Sequence, residues 1–261
     1  MTTMTAPRST LAPPLRSGPD RQTSLGKALA LLEAFPEDGG WIGVSELGRR
    51  AGVSKPSAFR LLGALEADGY VERDGANYCL GRQMFELGNR IRPCRPGGLR
   101  EVALPFLTEL YERTRRTVHL AVLEGTQVMY IEKLERRGVK TPSRIGGRAP
   151  STCTALGKAL LAFADEDTIS RALDHGIARR TARTLTDPSA LRRNLDQIRL
   201  DGVAFDHEEM ATGLWCVAAP IMSGTRPVGA VSVSGQWFDE EPTSARYVQQ
   251  VAATLSRLVR T

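Results

Sequence analysis

The stretch from Gly43 to Leu65, GVSELGRRAGVSKPSAFRLLGAL, constrains the fold more than any other part of the chain. Apolar residues recur at helical spacing on both sides of Gly52, which predicts two short helices joined by a tight turn. Gly52 adopts the left-handed backbone of such a corner more readily than a residue with a Cβ. Ser54 suits the N-cap of the second helix, and Pro56 suits its first turn. The pattern predicts a helix-turn-helix whose second helix fits a DNA major groove.

The side chains outside the apolar stripe are those that a DNA-binding helix requires. Between Ser45 and Leu62, four basic residues accompany a single acid, Glu46, and phosphate binding needs such an excess. The second helix also offers donors for base edges and a flat apolar face for thymine methyls. Two ordinary packed helices with a glycine corner remain the alternative from this stretch alone. The predicted DNA-contacting residues are Arg49, Arg50, Ser54, Lys55, Ser57, Phe59, Arg60 and, from the hairpin that follows, Arg73.

The flanking segments complete a winged helix. A periodic apolar pattern predicts a helix that Ser24 caps and Pro36 closes. After the helix-turn-helix, YVERDGANYCL alternates around a turn at Asp74 and Gly75, which predicts a β-hairpin. Three helices followed by a hairpin form a winged helix, in which Arg73 reaches a phosphate from the wing.

Composition divides the chain into four parts. Residues 1–22 are rich in Thr, Pro, Arg and Ser and predict a flexible arm, either a solvated tail or a segment whose arginines touch phosphates. Residues 23–82 form the winged helix, residues 83–97 a linker helix that ends in a Pro- and Gly-rich break, and residues 98–261 a second domain.

The second domain alternates helical and strand patterns, which predicts an α+β fold with a mixed, largely antiparallel sheet. The predicted helices cover 99–115, 154–164, 169–173 and 188–200, with a final amphipathic helix through 248–259, and the predicted strands cover 117–123, 128–134, a weaker 139–145, 203–205, 214–222 and 228–235.

Composition also indicates the cellular compartment of the protein. The chain has 261 residues and a net charge of +6, which permits nucleic-acid binding without locating it. Its four cysteines are far apart and form no CxxC pair, as expected for reduced thiols of a cytosolic protein. No apolar run is long enough to span a bilayer, and the N-terminus has no signal-peptide core. We therefore expect a cytoplasmic protein without a membrane partner.

Four segments in this order resemble the IclR family of bacterial transcriptional regulators. SLGKALALLEAF is similar to the family's opening helix, and SKPSAFRLLGALEADGYVERD to its recognition helix and first wing strand. TALGKALLA resembles the loop-helix signature of its ligand-binding domain, and DHEEMATGLWCVAAPI with GAVSVSG resembles its closing strand pair. The resemblance covers nearly everything from Ser24 onward.

The resemblance implies a ligand-responsive regulator with an N-terminal winged helix-turn-helix joined by a linker helix to a GAF-like effector-binding domain. We predict a repressor, with an activator as the alternative. The resemblance also implies a homodimer, or a dimer of dimers, that binds double-stranded operator DNA and needs no cofactor. Carried over residue by residue, the effector pocket falls on Ala155, Leu156, Asp206, Leu214, Cys216, Ser232 and Ser234.

Strand alternation supports this pocket independently, because Leu214 and Cys216 share one face of their strand, as do Ser232 and Ser234. The N–H groups that open the helix at Ala155 suit a carboxylate. We therefore expect a small organic acid, aromatic acids included, that the serine hydroxyls orient. The alternative is that these small residues are ordinary core and that the N–H groups of the helix are capped within the protein.

The sequence departs from the family at two places. Ser151 and Thr152 replace a frequent Leu-His pair, which removes a potential donor, and Trp215 replaces a frequent Arg. Alternation points Trp215 away from the pocket, toward a potential subunit contact.

A hydrolase or metal-dependent enzyme is the competing interpretation, built from Cys, His and acidic residues of the second domain, with His119, His207 and Cys216 as a conceivable metal set. No spacing enforces either arrangement, and GAVSVSG lacks the G-x-S-x-G elbow. We therefore predict no catalytic residue and no metal ligand.

Overall fold

The structure is a computed structural model that describes residues 22–135, 143–174, 176–236 and 243–259. The chain divides between Pro96 and Gly97 into two compact units. Of the predicted N-terminal arm, residues 1–21 lie outside the described residues, as do residues 139–142 of the weaker predicted strand. In the part of the chain that is described, no helix is both long and apolar enough to cross a membrane.

Three helices and a small sheet form the N-terminal unit. The helices bury a common apolar core that includes Leu31, Leu47 and Leu62, and Val71 and Tyr78 of the sheet close it. The elements are α1 (Ser24–Glu33), β1 (Ile42–Gly43), α2 (Val44–Ala51), α3 (Lys55–Ala67), β2 (Val71–Asp74), β3 (Asn77–Leu80) and α4 (Arg82–Gly88).

The turn between α2 and α3 depends on two glycines. Gly52 has φ +68°, which confirms the predicted left-handed corner. Gly48 is the second, because a Cβ there would lie 2.7 Å from the carbonyl oxygen of Val53, whose N–H donates to Gly48 O at 2.8 Å. The sequence pattern did not single out Gly48, since its role comes from the close approach of the turn and not from helical periodicity.

The two predicted N-caps differ from expectation. Thr23, not Ser24, caps α1, and its hydroxyl accepts from Gly26 N at 3.0 Å. Ser54 does precede α3, but its hydroxyl donates to Ser57 Oγ at 3.0 Å and makes no capping bond to the backbone.

The predicted wing is confirmed, with Asp74 opposite Asn77 at the end of the β2–β3 hairpin. The two-residue strand β1, too short to show alternation, adds a third strand in the order β1-β3-β2. The linker helix predicted over 83–97 is shorter, because α4 ends at Gly88. The chain continues in turns, one of which is closed by a hydrogen bond from Cys94 N to Ile91 O at 2.8 Å.

A six-stranded sheet organises the C-terminal unit. Its order is β6-β5-β4-β9-β8-β7, and every described pairing is antiparallel, which confirms the α+β class. The elements are α5 (Leu99–Thr114), β4 (Thr117–Glu124), β5 (Gln127–Leu134), β6 (Arg148–Pro150), α6 (Ala155–Leu161), α7 (Glu166–Asp174), α8 (Pro188–Asp201), β7 (Ala204–His207), β8 (Leu214–Ser223), β9 (Arg226–Gln236) and α9 (Thr243–Leu258).

Helices cover both faces of this sheet. We call the face that packs against α6 the inner face and the face that packs against α5 and α9 the outer face. Alternate residues belong to different cores: Cys216 and Ala218 to the inner one, Trp215 and Val217 to the outer one. Trp215 is therefore an internal core residue, and its predicted role in a subunit contact is wrong.

Two predicted elements of this unit need correction. The helix predicted over 154–164 covers only Ala155–Leu161, and turns follow it. Residues 143–145 form no strand, and the strand in this region is β6, which pairs with β5. Three residues are too few for the alternation that identifies a strand in a sequence.

Candidate functional site

The outward side of α3 carries the residues that were predicted to read DNA. Lys55, Phe59, Arg60 and Gly63 are exposed and recur at helical spacing, whereas Ala58, Leu61 and Leu62 are buried against the other helices. Ser54 is exposed and Ser57 is half-buried at the same end of the helix. The helix thus presents a polar and basic side with one exposed aromatic ring.

Arg49 and Arg50, both predicted phosphate contacts, share one acid. Glu46 accepts from Arg49 Nε at 2.8 Å, from Arg49 Nη2 at 2.6 Å and from Arg50 Nε at 2.8 Å. These hydrogen bonds lower the pKa of Glu46 to about 2, so its carboxylate is charged at neutral pH. The three side chains together carry one net positive charge, less than the sequence count of arginines indicates.

Arg73 joins the wing to the recognition helix. Its guanidinium carbon lies 5.3 Å from the ring centroid of Phe59 and 5.6 Å from that of Tyr78. Its Nε donates to Gly75 O at 2.8 Å within the hairpin. Cation–π contacts of this kind attract a guanidinium to an aromatic face, so Arg73 contacts Phe59 on α3 from the wing.

The sheet register brings the predicted effector residues of the last strands onto the inner face. Cys216 on β8 lies between Asp206 on β7 and Ser234 on β9. Ser232, two residues from Ser234, is fully buried and also belongs to this face. Leu214, at the start of β8, is half-buried. The strands therefore place all five side chains on one side of the sheet.

Asp206 is a buried acid with an unusual titration. Its Oδ1 accepts from Glu209 N at 2.7 Å and from Met210 N at 3.3 Å. Burial nevertheless raises the pKa of Asp206 to about 7, because desolvation outweighs these two hydrogen bonds.

The start of α6 lies over this face, with Ala155 and Leu156 buried as its first residues. Thr154 caps the helix, and its hydroxyl accepts from Gly157 N at 3.1 Å. A Cβ at Gly157 would lie 2.2 Å from Ser151 Cα, so glycine lets Ser151 pack directly on the helix. Because α6 has only seven residues, its dipole is weaker than the predicted eleven-residue helix would provide.

Sequence reasoning left three buried polar residues out of the predicted pocket. Lys158 on α6 donates to Glu209 Oε1, and both side chains are almost inaccessible to solvent. His119 on β4 lies beside Tyr130, with ring centroids 5.1 Å apart. Two sequence features could have indicated buried polar residues here: a lysine in the apolar run TALGKALLA and a histidine in the strand pattern TVHLAVL.

The conceivable metal set does not assemble. His207 is exposed on β7, next to the buried Asp206 that pairs with Cys216, so His207 points away from Cys216. His119 Nε2 lies 2.7 Å from Ser143 Oγ. Within the described ranges, no three His, Cys, Asp or Glu side chains come together as metal ligands. All four cysteines are free.

A winged helix-turn-helix in one unit and an α+β sheet with a buried polar face in the other define a two-domain DNA-binding protein. Residues 24–75 match the family described as IclR helix-turn-helix domain, and residues 96–259 match the family described as Bacterial transcriptional regulator IclR C-terminal. The chain belongs to the IclR family of bacterial transcriptional regulators, as its sequence segments predicted.

Individual relatives agree with this assignment. The chain is 36% identical over 208 residues to the HTH-type transcriptional regulator KdgR of Escherichia coli K12, covering 78% of each protein. It is 32% identical over 219 residues to the transcriptional repressor IclR of the same organism, covering 81% of this chain and 79% of that one. These relatives are named as regulators, so the chain is a ligand-responsive transcriptional regulator and not an enzyme.

Solved structures show the same architecture. An IclR homolog from Microbacterium hydrocarbonoxydans, complexed with 4-hydroxybenzoate, superposes with a TM-score of 0.81 at 28% identity, covering 91% of this chain and 99% of that one. The IclR protein of Thermotoga maritima gives a TM-score of 0.77 at 30% identity, with the same coverage.

Proposed function

We propose that this protein is a cytoplasmic repressor whose C-terminal unit binds a small organic acid and thereby changes the affinity of the N-terminal unit for operator DNA. The observation that carries the proposal is the inner face of the sheet, where Asp206, Cys216 and Ser232 are buried together under α6. An ordinary core commonly buries cysteine but seldom buries aspartate and serine side chains.

The proposed DNA contacts are the exposed residues of α3 with Arg49, Arg50 and Arg73. The exposed side of α3 supports base contacts by Lys55 and Arg60, and the stacking of Arg73 on Phe59 supports a wing that approaches DNA together with the helix. Ser54 and Ser57 stand at the N-terminal end of α3, where phosphates commonly bind.

The proposed effector pocket comprises the seven residues that the family resemblance indicated. Ser232 and Ser234 supply hydroxyl groups, and Ala155 and Leu156 open the helix above them. The similar Microbacterium hydrocarbonoxydans protein was crystallised with an aromatic hydroxy acid, which supports a carboxylate as the ligand.

A homodimer is the proposed working form. Two segments of the N-terminal unit expose large apolar side chains: Leu25 is 71% exposed on α1, and Phe85 is 73% exposed on α4. Contact between copies would remove this surface from water. A symmetric dimer would read a pseudo-palindromic operator, and pairs of dimers would form the tetramer.

The proposal is tested with the purified protein and a labelled fragment of its own upstream promoter at low salt. Fluorescence anisotropy should show specific binding that candidate acids weaken. Ser234→Leu should abolish the response to acid while operator affinity stays at the wild-type value, because the substitution fills the pocket and leaves the N-terminal unit unchanged. Failure of the wild-type protein to bind the fragment, with and without acids, would overturn the proposal.

A further inference from the structure

Two buried polar side chains stand opposite each other on neighbouring strands of the inner face. His119 on β4 pairs with Ser232 on β9, and directly opposite residues of an antiparallel pair have Cβ atoms about 4.5–5.5 Å apart. His119 is 5% exposed and Ser232 is 0% exposed. Among the described residues, neither His119 Nδ1 nor Ser232 Oγ has a hydrogen-bond partner.

These two atoms need a partner that the described residues do not provide. Folded proteins pair nearly all their buried polar atoms, because an unpaired donor or acceptor loses its hydrogen bonds to water without replacement. Burial raises the pKa of the neighbouring Cys216 thiol, and the Ser232 hydroxyl offsets part of that rise. A thiol is only a weak hydrogen-bonding group.

The remaining contacts of His119 hold its ring in place. Nε2 is 2.7 Å from Ser143 Oγ, and the ring lies against Tyr130. Burial, helped by the nearby charge of Lys133, lowers the pKa of His119 to about 3, so the ring is neutral at pH 7. In a neutral imidazole one nitrogen donates and the other accepts, and Nδ1 takes either role according to the tautomer.

We propose that the effector carries a hydroxyl group in addition to its carboxylate, and that this hydroxyl binds between His119 Nδ1 and Ser232 Oγ. A hydroxyl donates and accepts, so it pairs with Nδ1 in either tautomer and with the serine at the same time. A carboxylate oxygen only accepts and an ammonium group only donates, so each of them pairs with Nδ1 in one tautomer alone. The inference rests on the proposed function, since it specifies the ligand class of the same pocket, and it makes His119 a specificity-determining residue.

The test compares matched pairs of acids that differ only by a hydroxyl: propanoate with lactate, and benzoate with 4-hydroxybenzoate. Isothermal titration calorimetry of the full-length protein should show this preference in the pair whose size fits the pocket. In that pair, the hydroxylated acid should bind at least tenfold more tightly than the acid without the hydroxyl. His119→Phe should bring both members of that pair to the same Kd. His119→Asn should keep part of the preference, because its amide places a polar group near the position of Nδ1.

Val118→Ala is the matched control. Val118 adjoins His119 in sequence but belongs to the outer-face core, so its truncation lowers stability and leaves the hydroxyl preference unchanged. Equal affinity of the wild-type protein for both members of each pair, or an undiminished preference in His119→Phe, would overturn the inference and leave acid sensing intact. Binding of no acid at all would overturn the proposed function together with the inference.

Discussion

Lys158 and Glu209 form an ion pair inside the C-terminal unit, with side chains that are 1% and 9% exposed. Lys158 belongs to α6, and Glu209 follows β7 in the loop whose N–H groups bind Asp206. The hydroxyl of Thr184 donates to Glu209 O at 2.8 Å and anchors the same loop. The ion pair therefore ties the helix above the proposed pocket to the loop that fixes its buried acid.

Loss of Lys158 alone should be severely destabilising. Lys158→Met leaves Glu209 as an uncompensated buried charge, and we expect the free energy of unfolding in urea to fall by about 3–5 kcal/mol. Adding Glu209→Leu should recover most of that loss, because no buried charge then remains. Arg192→Met, which breaks an exposed pair with Glu166, is the control and should cost less than about 1 kcal/mol. Equal losses for Lys158→Met and Arg192→Met would contradict the prediction.

The turn of the helix-turn-helix should not tolerate a side chain at Gly48. Gly48→Ala places a Cβ against Val53 O, and we expect it to lower the stability of the N-terminal unit by about 1–3 kcal/mol. Gly63→Ala is the control on α3: nothing lies within 4 Å of a Cβ there, so it should raise stability by up to about 1 kcal/mol. Thermal unfolding compares the two, and a Gly48→Ala protein as stable as Gly63→Ala would exclude the close contact.

Two buried groups should give opposite pH dependences. His119 has a pKa of about 3 in the folded protein and near 6.5 in the unfolded chain. Its contribution to the free energy of unfolding is therefore lost as pH falls from 6.5 toward 3. Asp206 titrates at a pKa of about 7 when folded and near 3.9 when unfolded, so its contribution is lost as pH rises from 4 to 7. Between its two pKa values, each group changes the free energy of unfolding by up to about 1.4 kcal/mol per pH unit.

Variants separate these two contributions, since groups common to both proteins cancel in the difference. Relative to wild type, His119→Asn should gain stability as pH falls from 6 to 4, and Asp206→Asn should gain stability as pH rises over the same interval. Urea denaturation at each pH measures both differences. Parallel profiles for the wild-type protein and either variant would show that the group in question titrates normally.

Removal of Arg60 should weaken sequence-specific DNA binding. If Arg60 contacts a base from the exposed side of α3, Arg60→Ala reduces operator affinity by about 1–3 kcal/mol and relaxes specificity at that base pair. Anisotropy titrations with the operator and with single-base variants measure both effects. Arg257→Ala, on α9 of the other unit, is the control. An Arg60→Ala protein with wild-type affinity would make Arg60 a scaffold residue.

Neutralising Glu46 should strengthen binding to any DNA. Glu46→Gln frees Arg49 and Arg50 from the carboxylate that they share, and each additional phosphate that an arginine neutralises steepens the slope of log K against log salt by about 0.9. Operator and unrelated fragments should bind more tightly to the same degree, because phosphate contacts carry no sequence information. A salt slope identical to the wild-type slope would show that neither arginine faces the backbone of the DNA.

The elements with a long local repeat could be predicted from the sequence. The corner at Gly52 and the helix α8, which begins at Pro188 and ends before Gly202, lie as predicted. Strand alternation also separated Cys216 from Trp215 correctly. A side chain's face repeats about every 3.6 residues in a helix and every two in a strand, so the sequence itself records which residues are buried together. Strands β1 and β6 were missed because two or three residues contain too little of that repeat.

Only the tertiary structure decided which distant polar groups meet. Lys158 and Glu209 are 51 positions apart, and His119 meets Ser232 through strand register. No local periodicity encodes such a pairing, because it depends on where the chain returns after several intervening elements. The sequence by itself thus determined the two-domain regulator and its recognition helix. The folded sheet decided that His119 Nδ1 and Ser232 Oγ, which have no hydrogen-bond partner among the described residues, belong to directly opposite residues beneath α6. Strand register brings these residues together, and burial removes the water that would otherwise satisfy the two atoms.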